Sequence, residues 1–430
     1  MTFDANNGLP PATAYHRTPL RIINGFLRLA NALGVARTHF SPEKLMAKAS
    51  RETGLSDFGD DRFLEPFRML CEGLNREARL NPTGKLLTRL SIMRLLRHRL
   101  LAEDLFAQHP EILKREIKAP VVVVGLARSG TTRLHRLLAA DQRFLHLKAW
   151  ESVNPVPLPA SFGAGRDPRI KSIEDGLKAV LYMGPQIASV HPLGAHEVEE
   201  EVGLIQHAFS SQLFEVQAYL PSFSAYLVAN DQGYAYEYMA RLMKLISWWR
   251  QDDVAKPWVL KTPQHMQDLD ALMHVFPDAR LVCTHRDPIK AVGSACSMAW
   301  NAIVRDTDSV DPHWIGREWL AKTDAMLRKT IKVRETMVPA QQQIDVLYQN
   351  ISSDWRSEIE RIYQFLGLPL TQGAVAAMQT WLDNNSQHKH GAHKYQLSDF
   401  GLSKDEVEEK LSYYRERFAI PLEIRSPHQA

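Results

Sequence analysis

Four consecutive valines, Val121 to Val124, stand between Pro120 and Gly125. An unbroken β-branched run of that length reads as a strand buried on both faces, as in the interior of a parallel sheet. A strand apolar on both sides needs a layer of helices above and below it. The rest of the chain supplies them. Short strands are expected again at Phe144–Trp150, Trp258–Lys261, Arg280–His285 and Ile344–Tyr348, with helical segments between most of them. Two of those helices are expected at Thr131–Ala140 and Tyr234–Arg250. The fold class is therefore α/β: an open parallel sheet of about five strands flanked by helices.

The sheet region divides the chain into three parts. Residues 1–118 read as a helical N-terminal region packing on the core, with a flexible arm over residues 1–20. Apolar residues then recur at three-and-four spacing from Ile22, from Phe63 to Leu74 and from Leu86 to Leu105. Residues 119–370 form the α/β core. An irregular insertion at about 155–230, rich in Pro, Gly and Ser, is expected to form a lid or a substrate wall. Residues 371–430 are expected to add helices and a His/Lys-bearing loop at 387–394.

Composition limits the partners. Of 430 residues, 45% are apolar and 23% charged, enough for a packed core. Lys plus Arg, 52, less Asp plus Glu, 49, leaves +3, which gives no charge argument for nucleic acid or a membrane surface. Three scattered cysteines, Cys71, Cys283 and Cys296, exclude a disulfide framework and a four-cysteine zinc site. No run reaches the roughly 18 apolar residues of a membrane span. A cytoplasmic, soluble enzyme is expected, with no membrane span and no nucleic-acid partner; a homo-oligomer is left open.

The valine strand runs straight into Gly125-Leu126-Ala127-Arg128-Ser129-Gly130-Thr131-Thr132. Glycines let a backbone turn tightly around an anion, and the free amides at the start of a helix point at its oxygens. Ser129, Thr131 and Thr132 add hydroxyls, and Arg128 adds a charged fork. In the nucleotide triphosphatase loop a lysine follows the second glycine. Thr131 holds that place here, which argues against an ATP-dependent kinase, the alternative enzyme class. A non-catalytic nucleotide-binding module is the alternative outside enzymes.

A buried strand followed by this GxxRSGTT turn resembles the 5′-phosphosulfate loop of sulfotransferases that use 3′-phosphoadenosine 5′-phosphosulfate (PAPS). Arginine in the place of Arg128 is similar to the tyrosylprotein branch and to many bacterial members. A second likeness is Arg286 ending a strand with Ser294 eight residues on, the pair that the family uses for the 3′-phosphate. A third is Tyr348 before a helix ending in Phe365-Leu366-Gly367-Leu368, which implies a place for Tyr348 near the adenosine. The resemblance spans roughly residues 118–370 and implies a P-loop-like sheet, PAPS as donor and PAP (3′-phosphoadenosine 5′-phosphate) as product. The acceptor it implies is a hydroxyl of a small or lipid-like molecule. The RKGxxGDWKN-type tail of the cytosolic branch is missing, so the C-terminal contribution to the nucleotide site stays open, with Lys389 and Lys394 as candidates.

Ligands of open α/β sheets bind beyond the carboxyl ends of the strands. The polar candidates fall there: Arg128, Ser129, Gly130, Thr131 and Thr132 after the first strand, Glu151 after the second, Lys261 in the third, Arg286 and then Ser294 after the fourth, and Tyr348 after the fifth. Sulfuryl transfer needs an in-line nucleophile and cations for the charge on the sulfonate and the departing phosphate. Arg128 and Lys261 are the expected cations, and no metal is required. Glu151 is the expected general base for the acceptor hydroxyl, with His265 as its rival. His196, Glu197, Glu199 and Glu200 form a further polar cluster, in which His196 and Glu200 are read as one helix face. That cluster and the histidines near 388–393 are weak metal patterns.

Overall fold

The computed structural model describes residues 9, 16–33, 39–158, 161, 166–183, 194–385 and 395–423. Its strands are β1 (Val121–Gly125), β2 (Leu147–Lys148), β3 (Val198–Glu199), β4 (Val259–Lys261), β5 (Arg280–His285) and β6 (Gln343–Leu347). Four of them form a parallel sheet in the order β4-β1-β5-β6. The chain leaves β1 for one edge (β4) and returns on its other side (β5, then β6). The turn after β1 therefore sits where the winding direction reverses, the position at which such sheets form a crevice.

Alternation along β1 shows why four valines suit it. Val122 and Val124 join Leu260, Leu281 and Cys283 in the core beneath the helices Gly233–Arg250, Leu269–Val275, Pro288–Asp306 and Pro312–Thr336. Val121 and Val123 join Val259, Val282 and Val346 beneath Thr131–Ala139, Trp355–Leu366 and Gln372–Asn384. All five β1 residues are buried. Burying a Val side chain contributes about 1.5–3 kcal/mol, so this strand anchors both layers.

The second expected strand, Phe144–Trp150, divides. Leu145 makes one parallel bridge beside Trp258 at the sheet edge, and then Leu147–Lys148 peels away to pair antiparallel with Val198–Glu199. The main sheet is thus four strands plus a single bridge. The insertion is more helical than its Pro, Gly and Ser content implies. It holds Pro168–Met183, Gln212–Gln217 and Pro221–Ala229. The first helix of the chain begins at Thr18, inside the arm expected to be flexible. The His/Lys loop, with Lys389, Lys394 and the histidines at 388–393, lies outside the described residues.

A separate core unites the helices Pro42–Thr53, Leu64–Arg76 and Pro82–Gln108 with Phe209, Phe214 and Phe223 of the insertion. The fully buried Arg99 ties the two together. It donates to the carbonyls of Phe58 and His207 and to Tyr234 Oη, and its guanidinium lies 3.9 Å from the Phe63 ring centre. A buried cation needs that full set of acceptors.

Asp268 is a charged group in a poorer setting. It is buried, accepts from Gln264 Nε2 at 3.0 Å, and its Oδ1 has no hydrogen-bond partner. Burial pushes its carboxyl up to about 7. The folded protein thus holds a proton that the unfolded chain releases near pH 4. The stability this proton confers is complete below that value and is lost as pH rises through about 7. Asp268→Asn should remove the dependence. Between pH 5 and pH 7 the wild type should lose about 1.4 kcal/mol per pH unit relative to the variant, as read by denaturant unfolding at a series of pH values.

Candidate active site

The turn after β1 is held down by one hydroxyl pair. Ser129 Oγ donates to the Leu126 carbonyl at 2.7 Å and lies 2.7 Å from Thr284 Oγ1 on β5. Gly125 leaves no room for a side chain there: a Cβ would stand 2.1 Å from Thr284 Oγ1. Gly130 has φ +87°, and a Cβ on it would stand 2.9 Å from the Tyr348 ring. Arg128 takes φ 70° without being glycine, a conformation that costs on the order of 1 kcal/mol and is typical of functional turns. The helix Thr131–Ala139 starts directly from this turn, so its first amides face the crevice.

The expected phosphate residues meet at this turn. Arg286 Nη1 donates to the Arg128 carbonyl at 2.7 Å, and its guanidinium lies 4.0 Å from the Tyr348 ring centre. Asp287 caps the next helix by accepting from Ile289 N at 3.0 Å, with Pro288 in the first turn. This places Arg286 at the end of β5 and Ser294 about two turns along the helix. Burial pulls the Arg128 guanidinium below its ordinary value, and the nearby Arg286 acts in the same direction. Two cations and a row of amide dipoles facing one recess make an anion seat.

Lys261 reaches the same turn from β4. Its ammonium donates to Thr132 Oγ1 at 3.1 Å and pairs with the Glu200 carboxylate. Its backbone amide donates to Glu201 Oε2 at 2.8 Å. Arg133, the third residue of the loop helix, has a buried Nε with no hydrogen-bond partner. These groups suit the phosphosulfate end of a nucleotide: the turn supplies amides and hydroxyls, Lys261 a cation and Arg133 a donor without a partner.

Two participants were not legible in the sequence, and a third stood there only in a weak metal pattern. Tyr395 packs on Gly293, where a Cβ would stand 2.7 Å from its ring. Its hydroxyl donates to the Lys290 carbonyl at 3.2 Å and also engages Ser294. It therefore joins the site from the C-terminal part, where Lys389 and Lys394 were the candidates. Glu423 grips Arg286 with both oxygens, Nε to Oε1 at 2.7 Å and Nη2 to Oε2 at 2.8 Å. Burial works against the charge of Arg286, but the Glu423 carboxylate together with Tyr348 and Tyr395 outweighs it and raises the pKa. Glu200 is the third. Residues 195–196 form a turn and Val198–Glu199 a strand, so His196 and Glu200 do not share a helix face. Among the described residues no group of three His, Cys, Asp or Glu side chains is placed to hold a metal ion.

Glu151 is held elsewhere. It is buried, forms an ion pair with Arg250 (Nε to Oε1 at 2.6 Å), and accepts from the Lys148 amide at 2.9 Å as a helix cap. Arg250 also donates to the His146 carbonyl. This geometry follows from the divided second strand, which turns Glu151 into the first turn of a short helix, Ala149–Val153. His265 is fully buried behind Lys261, with Nδ1 2.9 Å from Tyr236 Oη and Nε2 3.4 Å from Glu201 Oε2.

A four-stranded parallel sheet with a phosphate-type turn after its central strand and an arginine after the neighbouring strand is the framework of a group-transfer enzyme. The chain belongs to the sulfotransferase family, whose model matches residues 120–372. It is similar to the crystal structure of sulfotransferase STF1 from Mycobacterium tuberculosis H37Rv, with TM-score 0.76 and 30% identity over 88% of this chain and all of that one. It is similar also to sulfotransferase STF9 from Mycobacterium avium, with TM-score 0.78 and 25% identity over 90% of this chain and 99% of that one. Among curated proteins it resembles the omega-hydroxy-beta-dihydromenaquinone-9 sulfotransferase Stf3 of Mycobacterium bovis and of Mycobacterium tuberculosis. The identity is 23% over 289 residues, 65% of this chain and 70% of either relative.

The Glu151 geometry makes a direct prediction. Removing one member of a buried ion pair strands the other, so Glu151→Ala should cost on the order of 3 kcal/mol of stability. Denaturant unfolding measures this; a loss of activity at full stability would instead give Glu151 a catalytic role.

Proposed function

We propose that the protein transfers a sulfuryl group from PAPS to a hydroxyl of a lipid-like acceptor and releases PAP. The observation that carries this reading is the convergence of Arg128, Arg286, Tyr348 and Lys261 on one glycine-lined turn at the carboxyl edge of the sheet. Ser129, Gly130, Thr131 and Thr132 hold the 5′-phosphosulfate through amides and hydroxyls. Arg286 and Ser294 hold the 3′-phosphate, and Tyr348, with Tyr395, borders the adenosine. The Stf3 relatives, named for a menaquinone derivative, support a lipid-like acceptor.

In the transfer the acceptor oxygen attacks sulfur, the bond from sulfur to the 5′-phosphate oxygen breaks, and the hydroxyl proton passes to a base. Arg128 and Lys261 stabilise the charge that gathers on the sulfonate and the leaving phosphate, a role that requires no ligand exchange and no redox change. Glu200 is the base in this reading. It is part-exposed and touches Lys261 beside Thr132, whereas Glu151 is committed to Arg250 and His265 lies wholly inside. Lys261 fixes the position of this carboxylate beside Thr132.

Two experiments test the reading. PAP should raise the melting temperature selectively over ATP and NAD, and Arg286→Ala should abolish the shift. Glu423→Gln should strengthen it, because the Glu423 carboxylate holds the same guanidinium; equal shifts from all three nucleotides would remove PAPS as donor. Glu200→Gln should lower turnover by on the order of 100-fold or more while PAP binding stays intact. Turnover within a few-fold of wild type would return the base to His265.

A further inference from the structure

The helix Thr18–Ala32 faces the wrong way for a core helix. Ile22, Phe26, Leu29 and Leu33 lie along one stripe at four-and-three spacing and are 66%, 76%, 59% and 71% exposed, with Ile23 beside them at 48%. The inward side is pinned by polar contacts. Asn24 is buried and accepts from the Thr83 amide at 2.9 Å, while Arg28 pairs with Asp308. His16, just before the helix, meets the Val304 carbonyl at 2.8 Å. Soluble helices turn their apolar stripe to the core, and a contiguous apolar stripe turned outward marks a surface that meets something else.

Charge tells what it meets. The segment Thr18–Ala32 contains Arg21 and Arg28 and no acidic residue. These arginines lie seven apart, on one flank of the stripe. The Arg21 side chain is exposed and makes no ion pair or hydrogen bond among the described residues. A groove of about 450 Å³ runs along that flank, lined by His16, Thr18, Arg21, Asn24, Arg28 and Asp308. The supporting helix repeats the pattern: Leu86 and Leu90 are exposed, next to Lys85 and Arg89. A second copy docking here would bring arginines toward arginines, and the one carboxylate of the groove, Asp308, is already paired with Arg28. A stripe of four or five side chains is also far short of the roughly 20–30 residues a partner contributes to a stable interface.

We propose that Thr18–Ala32 is an interfacial helix that docks the protein on an anionic lipid bilayer. Ile22, Phe26, Leu29 and Leu33 enter the acyl boundary, and Arg21 and Arg28 stay at the level of the lipid phosphates, with Arg21 in the groove as the principal headgroup contact. The start of the helix adjoins the insertion: the Arg17 guanidinium lies 4.4 Å from the ring centre of Tyr182, the half-exposed residue near the end of Pro168–Met183. The docking surface is therefore continuous with the segment expected to wall the acceptor pocket. The proposal does not depend on the sulfuryl-transfer reading.

Flotation of the full chain with vesicles tests it, using phosphatidylcholine alone and phosphatidylcholine doped with phosphatidylglycerol. The protein should float with the anionic vesicles and much less with the neutral ones. The double substitution Phe26→Ser, Leu29→Ser should reduce binding to anionic vesicles by about 10-fold or more. Arg21→Glu should reduce it several-fold and weaken the preference for anionic lipid. Both variants should keep the wild-type melting temperature, since the changed side chains are exposed. Absence of wild-type flotation, or undiminished flotation of the double variant, overturns the proposal. So does light scattering that shows a dimer dissolved by Phe26→Ser, Leu29→Ser when vesicles capture nothing; the stripe would then be a self-association surface.

Discussion

The contact between Ser129 and Thr284 fixes the geometry on which the site depends. It closes the turn after β1 onto the neighbouring strand, and it can form only because Gly125 carries no side chain. β1 and β5 are in parallel register with Gly125 opposite Thr284, so Arg286 emerges two residues beyond the contact and reaches back to the Arg128 carbonyl. One hydroxyl pair thus sets the distance between the amides of the turn and the second guanidinium.

The electrostatic design around this contact is a set of shared charges. Lys261 is partnered by Glu200, Arg286 by Glu423, and the buried Arg99 by carbonyls and aromatic faces. Cations held in this way are preorganised, and ligand binding then exchanges one anion for another instead of desolvating a free charge. The distinction matters for roles. Glu151 and Arg250 form the same kind of pair, and it fastens a short helix to the end of Gly233–Arg250.

Much of this was legible in the residues. The valine run, the glycine spacing and the Arg286–Asp287–Pro288 junction each carry a local physical signal: burial on both faces, tight backbone, and a capped helix start. Contacts that depend on long-range packing were not legible. Phe144–Trp150 has strand composition throughout, yet only Leu145 bridges to the sheet, because β3 of the insertion draws Leu147 and Lys148 away. That single departure places Glu151 in the first turn of a short helix, paired with Arg250. Tyr395 and Glu423 lie more than a hundred residues from the groups they touch, and no spacing rule reaches that far.

The helix Pro288–Asp306 begins beside Arg286 and ends where Asn81 and Asp308 hold the N-terminal helices. At 1.5 Å per residue its 19 residues span about 28 Å. It acts as a strut of fixed length between the recess and the outward apolar stripe. With the stripe in a bilayer, such a standoff would keep the recess in bulk water, so a water-borne ligand and a membrane-borne one would arrive from different phases.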